Sequence, residues 1–319
     1  GIRVLVRSRG LGDVYKRQGK VKMEVIKRTK SLGTLIIRPV EKQLAKSMII
    51  ENHYSHKWND SFGIINFGIF REDSDKCLGT AVFGRMMNSD SFRLISDDLE
   101  KDDIVELNRL WVDDCLGHNA ESLFIGACFK ILRSEYPHIK AVQSFADGRL
   151  GCGTIYKATN FKYFGVHKTL FFENKITGEI THNAIMTNSN SIGIVRMNRQ
   201  WCEGNLKPFT VNTYRYIYPL KKISFKLKEK TYPEYSIGKK YLTDYRHNVR
   251  YIYRALCLAC ISGFSDDFEV LKNWISANQT PEEIQTNMKL ALENKYILQR
   301  VERNNLYHKI EKIRSMFWC

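Results

Sequence analysis

Nothing in this sequence of 319 residues is apolar for long enough to cross a bilayer, which takes ~20 consecutive residues. Its start has no apolar core followed by small residues, as a secretory leader would. Both absences predict a protein that neither spans a membrane nor is exported. The eight cysteines show no framework spacing. Cys257 and Cys260 form a C-x-x-C, but it lies within the apolar run ALCLACI and has no second pair. A zinc site needs two such pairs, or histidines at fixed offsets. Buried thiols in a reducing cytoplasm are the expectation. No internal repeat is visible, which excludes solenoids.

What is present is positive charge. Lysine and arginine number 50 against 34 acids, a formal +16. Part of that excess has a trivial origin. The stretch SRGLGDVYKRQ (8–18) reads as a translated sequencing adapter: one codon choice for its end, GAT GTG TAT AAG AGA CAG, is a transposon end used in library construction. Met23 is therefore the expected start, with residues 1–22 an unstructured artefact excluded from fold reasoning. Seven basic residues and one acid precede Met23, so removing them leaves +10. That excess still suits a polyanionic partner, although a lysine-rich soluble surface would look the same.

From Met23 to about Leu220 strands and helices alternate. TLIIRPV (34–40), FGIINFGIF (62–70), CLGTAVFGRM (77–86), DIVELNRLWVDD (103–114) and IKAVQSFAD (139–147) read as strands. EKQLAKSMIIENHYSH (41–56) and NAESLFIGACFKILRSEYP (119–137) read as helices, with Asn119 placed to cap the second. TIYKATN (154–160) suits a short helix, FKYFGVH and KTLFFEN form a hairpin, and VNTYRYIYPL (211–220) closes the series. The order predicts an α/β fold with a mixed sheet and flanking helices. From about Ser236 onwards only helices are expected. One spans KKYLTDYRHNVRYIYRALCLACI, with Arg246, Arg250 and Arg254 on one face, and another is opened by the capping box Thr280-Pro281-Glu282-Glu283. The expected division is 23–225 and a helical 236–319.

Three stretches carry chemistry. HYSHKW (53–58) closes the first helix. ELNRLWV (106–112) places Arg109 in a central strand, where a buried guanidinium needs an anion. SFADGRLGCG (144–153) ends a strand in Ser144 and Asp147 and continues through Gly148, Gly151 and Gly153, which lets main chain approach a ligand. In open α/β sheets that strand edge is where ligands sit. Singly, each has a plainer account: a histidine at a helix end, an arginine paired with Glu106, an aspartate capping its own turn.

The strand order resembles that of GNAT-type acyltransferases, where two strands splay and the gap holds a cofactor. The run SFADGRLGCGTIYKATNFKYFG, preceded by ELNRLWVDD and ENHYSHKW, resembles the Mom family of phage DNA-modification proteins over about Leu35–Pro219. The resemblance implies a GNAT-like splayed sheet and an enzyme that puts a carbamoylmethyl-type group on N6 of adenine in DNA, hiding sites from host restriction. It implies double-stranded DNA as partner, with the adenine flipped out, and phage or prophage origin with action in the bacterial cytoplasm. The functional positions it carries over are His53, Tyr54, Arg109, Ser144, Asp147 and Tyr156 as catalytic residues, with Asn160; Gly151, Gly153 and Asn160 would lie against a cofactor. Asp147 would serve as general base or adenine-edge acceptor, Arg109 as holder of an anionic donor group, and Tyr54 and Tyr156 as stacking surfaces. A second role for His53, Tyr54 and Asp147 is an N/O site suited to iron. Two departures stand out. The phosphate-cradling R/Q-x-x-G-x-G/A turn of GNAT enzymes is DDCLGHNAES (113–122) here, and the histidine that many Mom-like chains place before G-T-I-Y is replaced by Gly151-Cys152. An acyl-CoA-type donor is thus one alternative, with a GNAT N-acetyltransferase acting on a protein or small-molecule amine as the rival activity.

Overall fold

The computed structural model describes residues 24–317 apart from 32, 60 and 237; the adapter-like stretch lies outside the described residues. In chain order the elements are β1 (Val25–Thr29), β2 (Gly33–Pro39), α1 (Lys42–Asn52), β3 (Ile65–Arg71), β4 (Cys77–Gly84), α2 (Phe92–Ile95), β5 (Ile104–Val112), α3 (Ala120–Glu135), β6 (Ala141–Asp147), α4 (Thr154–Ala158) and β7 (Lys162–Asn174). They continue with β8 (Ile180–His182), α5 (Asn183–Thr187), α6 (Gly193–Cys202), β9 (Leu206–Pro219), β10 (Tyr241–Leu242), α7 (Arg250–Ser262), α8 (Ser265–Asn278), α9 (Pro281–Leu292), α10 (Lys295–Asn304) and α11 (Tyr307–Phe317).

Contacts divide the chain into two units: residues up to 167 with 213–238, and residues 168–212 with 239–319. In the first, the strands lie in the order β1-β2-β3-β4-β5-β6-β9. Neighbours are antiparallel except β5 and β6. β3 and β4 are buried on both faces, as their near-continuous apolar sequence requires. α1 covers one face through Ala45 and Ile49 against Val82. α3 covers the other, its Phe124, Ile125, Cys128 and Leu132 packing in the main core with Phe67, Phe83 and Val142. This is the mixed sheet with flanking helices that the sequence predicts.

Two irregularities shape the sheet. Opposite β4 the register steps, so that Val82 faces Arg109 but Phe83 faces Leu107; Asn108 is the extra residue of a bulge. Its Oδ1 fits against Gly84 because glycine has no Cβ, which would collide with it and with the Ser61 carbonyl. Secondly, β5 and β6 pair only from Ile104–Ala141 to Glu106–Gln143. Beyond that point β5 runs on to Val112 and β6 to Asp147 without pairing each other, and the strands part. The bulge turns β5 away just where parallel pairing stops.

The second unit has its own core. Ile252, Leu256 and Ile261 of α7 pack with Phe268, Leu271, Met288, Ile297 and Ile313. α6 contributes Ile194 and Val195 to that core, so 168–212 groups with the later helices, whereas composition places it before the boundary at 225. The amphipathic repeat of GIVRMNRQWC is ten residues long and lies between loops, too short to stand out as a helix. α7 starts at Arg250, not at Lys239: Tyr241 and Leu242 pair instead with Thr210 and Phe209, which takes Arg246 off the helix that carries Arg250 and Arg254. Thr280 and Glu283 form the expected reciprocal cap. Cys257 and Cys260 are free. Cys257 is wholly buried, with its thiol against Met288 Sδ at 3.9 Å. Among the described residues no helix is long and apolar enough to cross a membrane.

Candidate active site

Where β5 and β6 separate, a cavity of about 590 Å³ opens between them. Leu107 to Val112 form one wall and Phe145 to Asp147 the other. The glycine turn with α4 contributes Gly151, Gly153 and Tyr156, and the end of α1 contributes His53 and Tyr54. His53, Tyr54, Arg109, Asp147, Tyr156, Gly151 and Gly153 therefore share one space. Ser144 lies behind the wall: its buried hydroxyl donates to the Leu107 carbonyl at 3.0 Å and is hydrogen-bonded to the Tyr156 hydroxyl at 2.8 Å. It ties the parted strands together and fixes the tyrosine. Asn160 does not line this space; it lines a second cavity with Lys130 and Arg133.

Each side chain arrives by a local cause. α1 ends at Asn52, so His53 leaves the helix with extended backbone. Its Nδ1 receives the Ser55 N–H at 3.1 Å and lies 2.8 Å from the Ser55 hydroxyl. An Nδ1 that accepts leaves the ring proton on Nε2. Burial, then the charges of Arg109 and His56, press the His53 pKa down to about 4, so the ring is neutral at physiological pH. Tyr54 packs beside it, ring centres 4.2 Å apart. Burial of its hydroxyl end, then the Asp147 charge, raises the phenol to about 12.

Arg109 is the unusual group. Its Nη1 donates to the Asn108 carbonyl at 2.6 Å, its guanidinium lies 4.7 Å over the Phe62 ring, and its Nε is buried without a partner. Burial lowers its pKa, opposed by the more distant Tyr54 and Glu106. The plainer account, a pairing with Glu106, is not what forms. Glu106 instead accepts from Asn108 Nδ2 at 3.1 Å and Gln143 Nε2 at 3.3 Å, and burial raises its pKa.

Asp147 organises its own turn. Its Oδ1 accepts the Arg149 N–H at 3.0 Å, its carbonyl accepts the Leu150 N–H at 2.9 Å, and Arg149 Nε and Nη2 both donate to the carboxylate. Arg149 has no signal in the sequence beyond standing two residues on. Its guanidinium faces the carboxylate, so a cation bound to Asp147 would have to displace it. Among the described residues no three His, Cys, Asp or Glu side chains cluster to hold a metal. Tyr156 stacks on Tyr216 at 4.9 Å, so one face of its ring is already taken. The rim, by contrast, is exposed and apolar: Tyr54 at 51%, Leu150 at 60% and Tyr235 at 71%. Tyr235 comes from a stretch that reads as linker. At the entrance to α3, Asn119 has left-handed backbone (φ 67°) and caps nothing with its side chain, while Glu121 faces the cavity.

The family model of the Mom protein family matches residues 34–234. The chain belongs to the Mom family. A curated relative, methylcarbamoylase Mom of Escherichia phage Mu, is 33% identical over 178 residues, 54% of this chain and 70% of that protein. Among solved structures, an N-acetyltransferase from Staphylococcus aureus is similar at 13% identity and TM-score 0.33, covering 59% of this chain and 99% of its own. A GNAT-family acetyltransferase from Bacillus anthracis is similar at 10% identity and TM-score 0.32, covering 63% and 100%. The family match takes in both strands of the splay, the glycine turn and the rim residue Tyr235's neighbour Glu234, but not the helices after them.

Proposed function

We propose that this Mom protein is a phage-type DNA modification enzyme that transfers a carbamoylmethyl-type group to N6 of adenine, protecting the DNA from host restriction in the bacterial cytoplasm. The observation that carries the reading is the pairing, inside one cavity, of a cation without a bound anion and a carboxylate with room for one more donor. Family membership and the methylcarbamoylase name of the phage Mu relative support it.

The exocyclic amine of adenine is a weak nucleophile because its lone pair is delocalised into the ring, and in duplex DNA it is out of reach. The base is therefore flipped out, at a few kcal/mol, onto the aromatic rim. Tyr54 stands exposed for that contact. A carboxylate offers about four lone-pair directions, and Arg149 with its N–H occupies most of them. The remainder accepts N6–H of the adenine and takes that proton as N6 bonds to the donor carbon, whose bond to the donor's leaving group breaks and gives that group the electron pair. Asp147 then works as edge acceptor, its strength as a base moderated by Arg149. Arg109 presents its unpartnered Nε to an anionic group of the donor, where a planar fork suits carboxylate or phosphate. His53, neutral and with Nε2 protonated, serves as a hydrogen-bond donor rather than a base.

The direct test is to express the chain in a bacterium, digest the DNA to nucleosides and weigh deoxyadenosine by mass spectrometry. A heavier deoxyadenosine is expected; soluble protein that leaves adenine unmodified removes the reading. Arg109→Lys keeps the charge but loses the fork, and should lower modification roughly tenfold to a hundredfold. The rival N-acetyltransferase predicts acetyl-CoA binding and unchanged nucleosides.

A further inference from the structure

The second cavity, of about 430 Å³, runs along the outer side of α3. Its wall includes Lys130, Arg133 and His118, and no Asp or Glu lines it among the described residues. Lys27 on β1 lies close enough to Lys130 for the second charge to act on it: its pKa is lowered by burial and then by Lys130. Among the described residues neither lysine has a carboxylate in an ion pair. Two ammonium groups brought together without an anion repel each other, and an anion between them reverses the sign of that energy. Arg133 is fixed by donating Nε to the Leu220 carbonyl at 3.3 Å and Nη2 to the Tyr218 hydroxyl at 2.7 Å. Gly126, one turn before Lys130 on the helix, leaves the cavity wall bare, since a Cβ there would meet nothing within 4 Å. The floor is thus open to something larger than water.

The cavity adjoins the candidate active site, because Asn119, Ser122 and Ala158 line both. From Ser122 to Arg133 the helix advances about 16 Å, roughly five nucleotides of one strand at 3.4 Å each. We propose that this cavity binds phosphodiester groups of the DNA strand whose adenine enters the active site, with Lys130 and Arg133 of its wall and Lys27, which lies outside the lining but beside Lys130, as the phosphate contacts. This rests on the reading of DNA as substrate. Phosphate chemistry alone also fits the diphosphate of coenzyme A. The length of the groove and the positive charge that remains from Met23 onwards favour the strand.

The experiment measures binding of the full chain to a short duplex by fluorescence anisotropy between about 50 and 200 mM salt. Each lost phosphate contact lowers the slope of log affinity against log salt by about 0.9. The Lys27→Gln, Lys130→Gln double variant should lower it by about 2. Gly126→Leu fills the groove with a better helix former, and should weaken binding while leaving the circular dichroism spectrum unchanged. A control removing two exposed lysines elsewhere, Lys289→Gln with Lys312→Gln, should leave the slope within experimental error. An equal effect from the control, or no effect of Gly126→Leu, overturns the proposal. In a second arm coenzyme A is titrated calorimetrically. Binding abolished by the cavity variants, with DNA affinity untouched, would assign the cavity to a cofactor and overturn the strand. The DNA arm needs no donor. The predicted slopes without any modified deoxyadenosine would leave this proposal standing and remove the reaction.

Discussion

Asp147 shows how one side chain holds a turn and a candidate reaction centre at once. It accepts bonds from the Arg149 backbone and side chain, so the plain reading of an aspartate capping its own turn is realised, on the wall of the candidate site. Asp147→Asn keeps the turn's acceptor but loses the charge facing Arg149; folding should survive with a loss of about 1–2 kcal/mol, read from urea unfolding, while adenine modification falls well below one tenth. His53 gives a pH prediction. Its pKa is depressed to about 4 from the ordinary 6.5, so between those values the unfolded chain takes up a proton that the native state refuses. The stability associated with the neutral ring is complete above pH 6.5 and declines as pH falls towards 4, by up to about 3 kcal/mol. His53→Gln should flatten that acid limb, measured as unfolding free energy against pH. The neutral ring also predicts no activity inflection near 6.5 from His53. None of this is visible in HYSHKW, because the shift comes from burial and from Arg109, distant in sequence.

At the scale of elements, the site is made by a strand pair that stops pairing. Bulge and splay put Arg109, Asp147 and Tyr156 around one space. The glycine turn keeps it open. Gly153 has φ of 91°, and a Cβ there would lie 2.7 Å from Tyr216, 2.9 Å from Ala146 and 2.9 Å from Tyr156. Gly153→Ala should cost about 2–4 kcal/mol and push Tyr156 off its stack, seen as a lower urea midpoint and altered near-ultraviolet dichroism. Gly151, with φ of 138° and open surroundings, should tolerate the same change with less loss. The sequence showed that glycines cluster after Asp147; which of them is pressed against aromatic rings depended on Tyr216, sixty-three residues further on.

For the whole molecule, the chain visits each unit twice. The helices after residue 239 complete their core with Ile194 and Val195 of α6. A fragment of residues 236–319 should therefore be loosely packed, binding a hydrophobic dye and unfolding without a sharp transition, whereas 168–319 should restore cooperative unfolding. A sharply melting 236–319 fragment would show that α6 is dispensable.

The sequence by itself determined the alternation of strands and helices, the buried thiols of Cys257 and Cys260, the capping box at Thr280 and the segments from which the site is drawn. Those features depend on side-chain periodicity and bonds between residues a few positions apart. Tertiary structure alone decided that Glu106 is bonded by Gln143 rather than by Arg109, that Asn160 belongs to a different cavity and that α6 joins the later helices. Each follows from a bulge, a splay or a packing face, and these are set by partners tens of residues away.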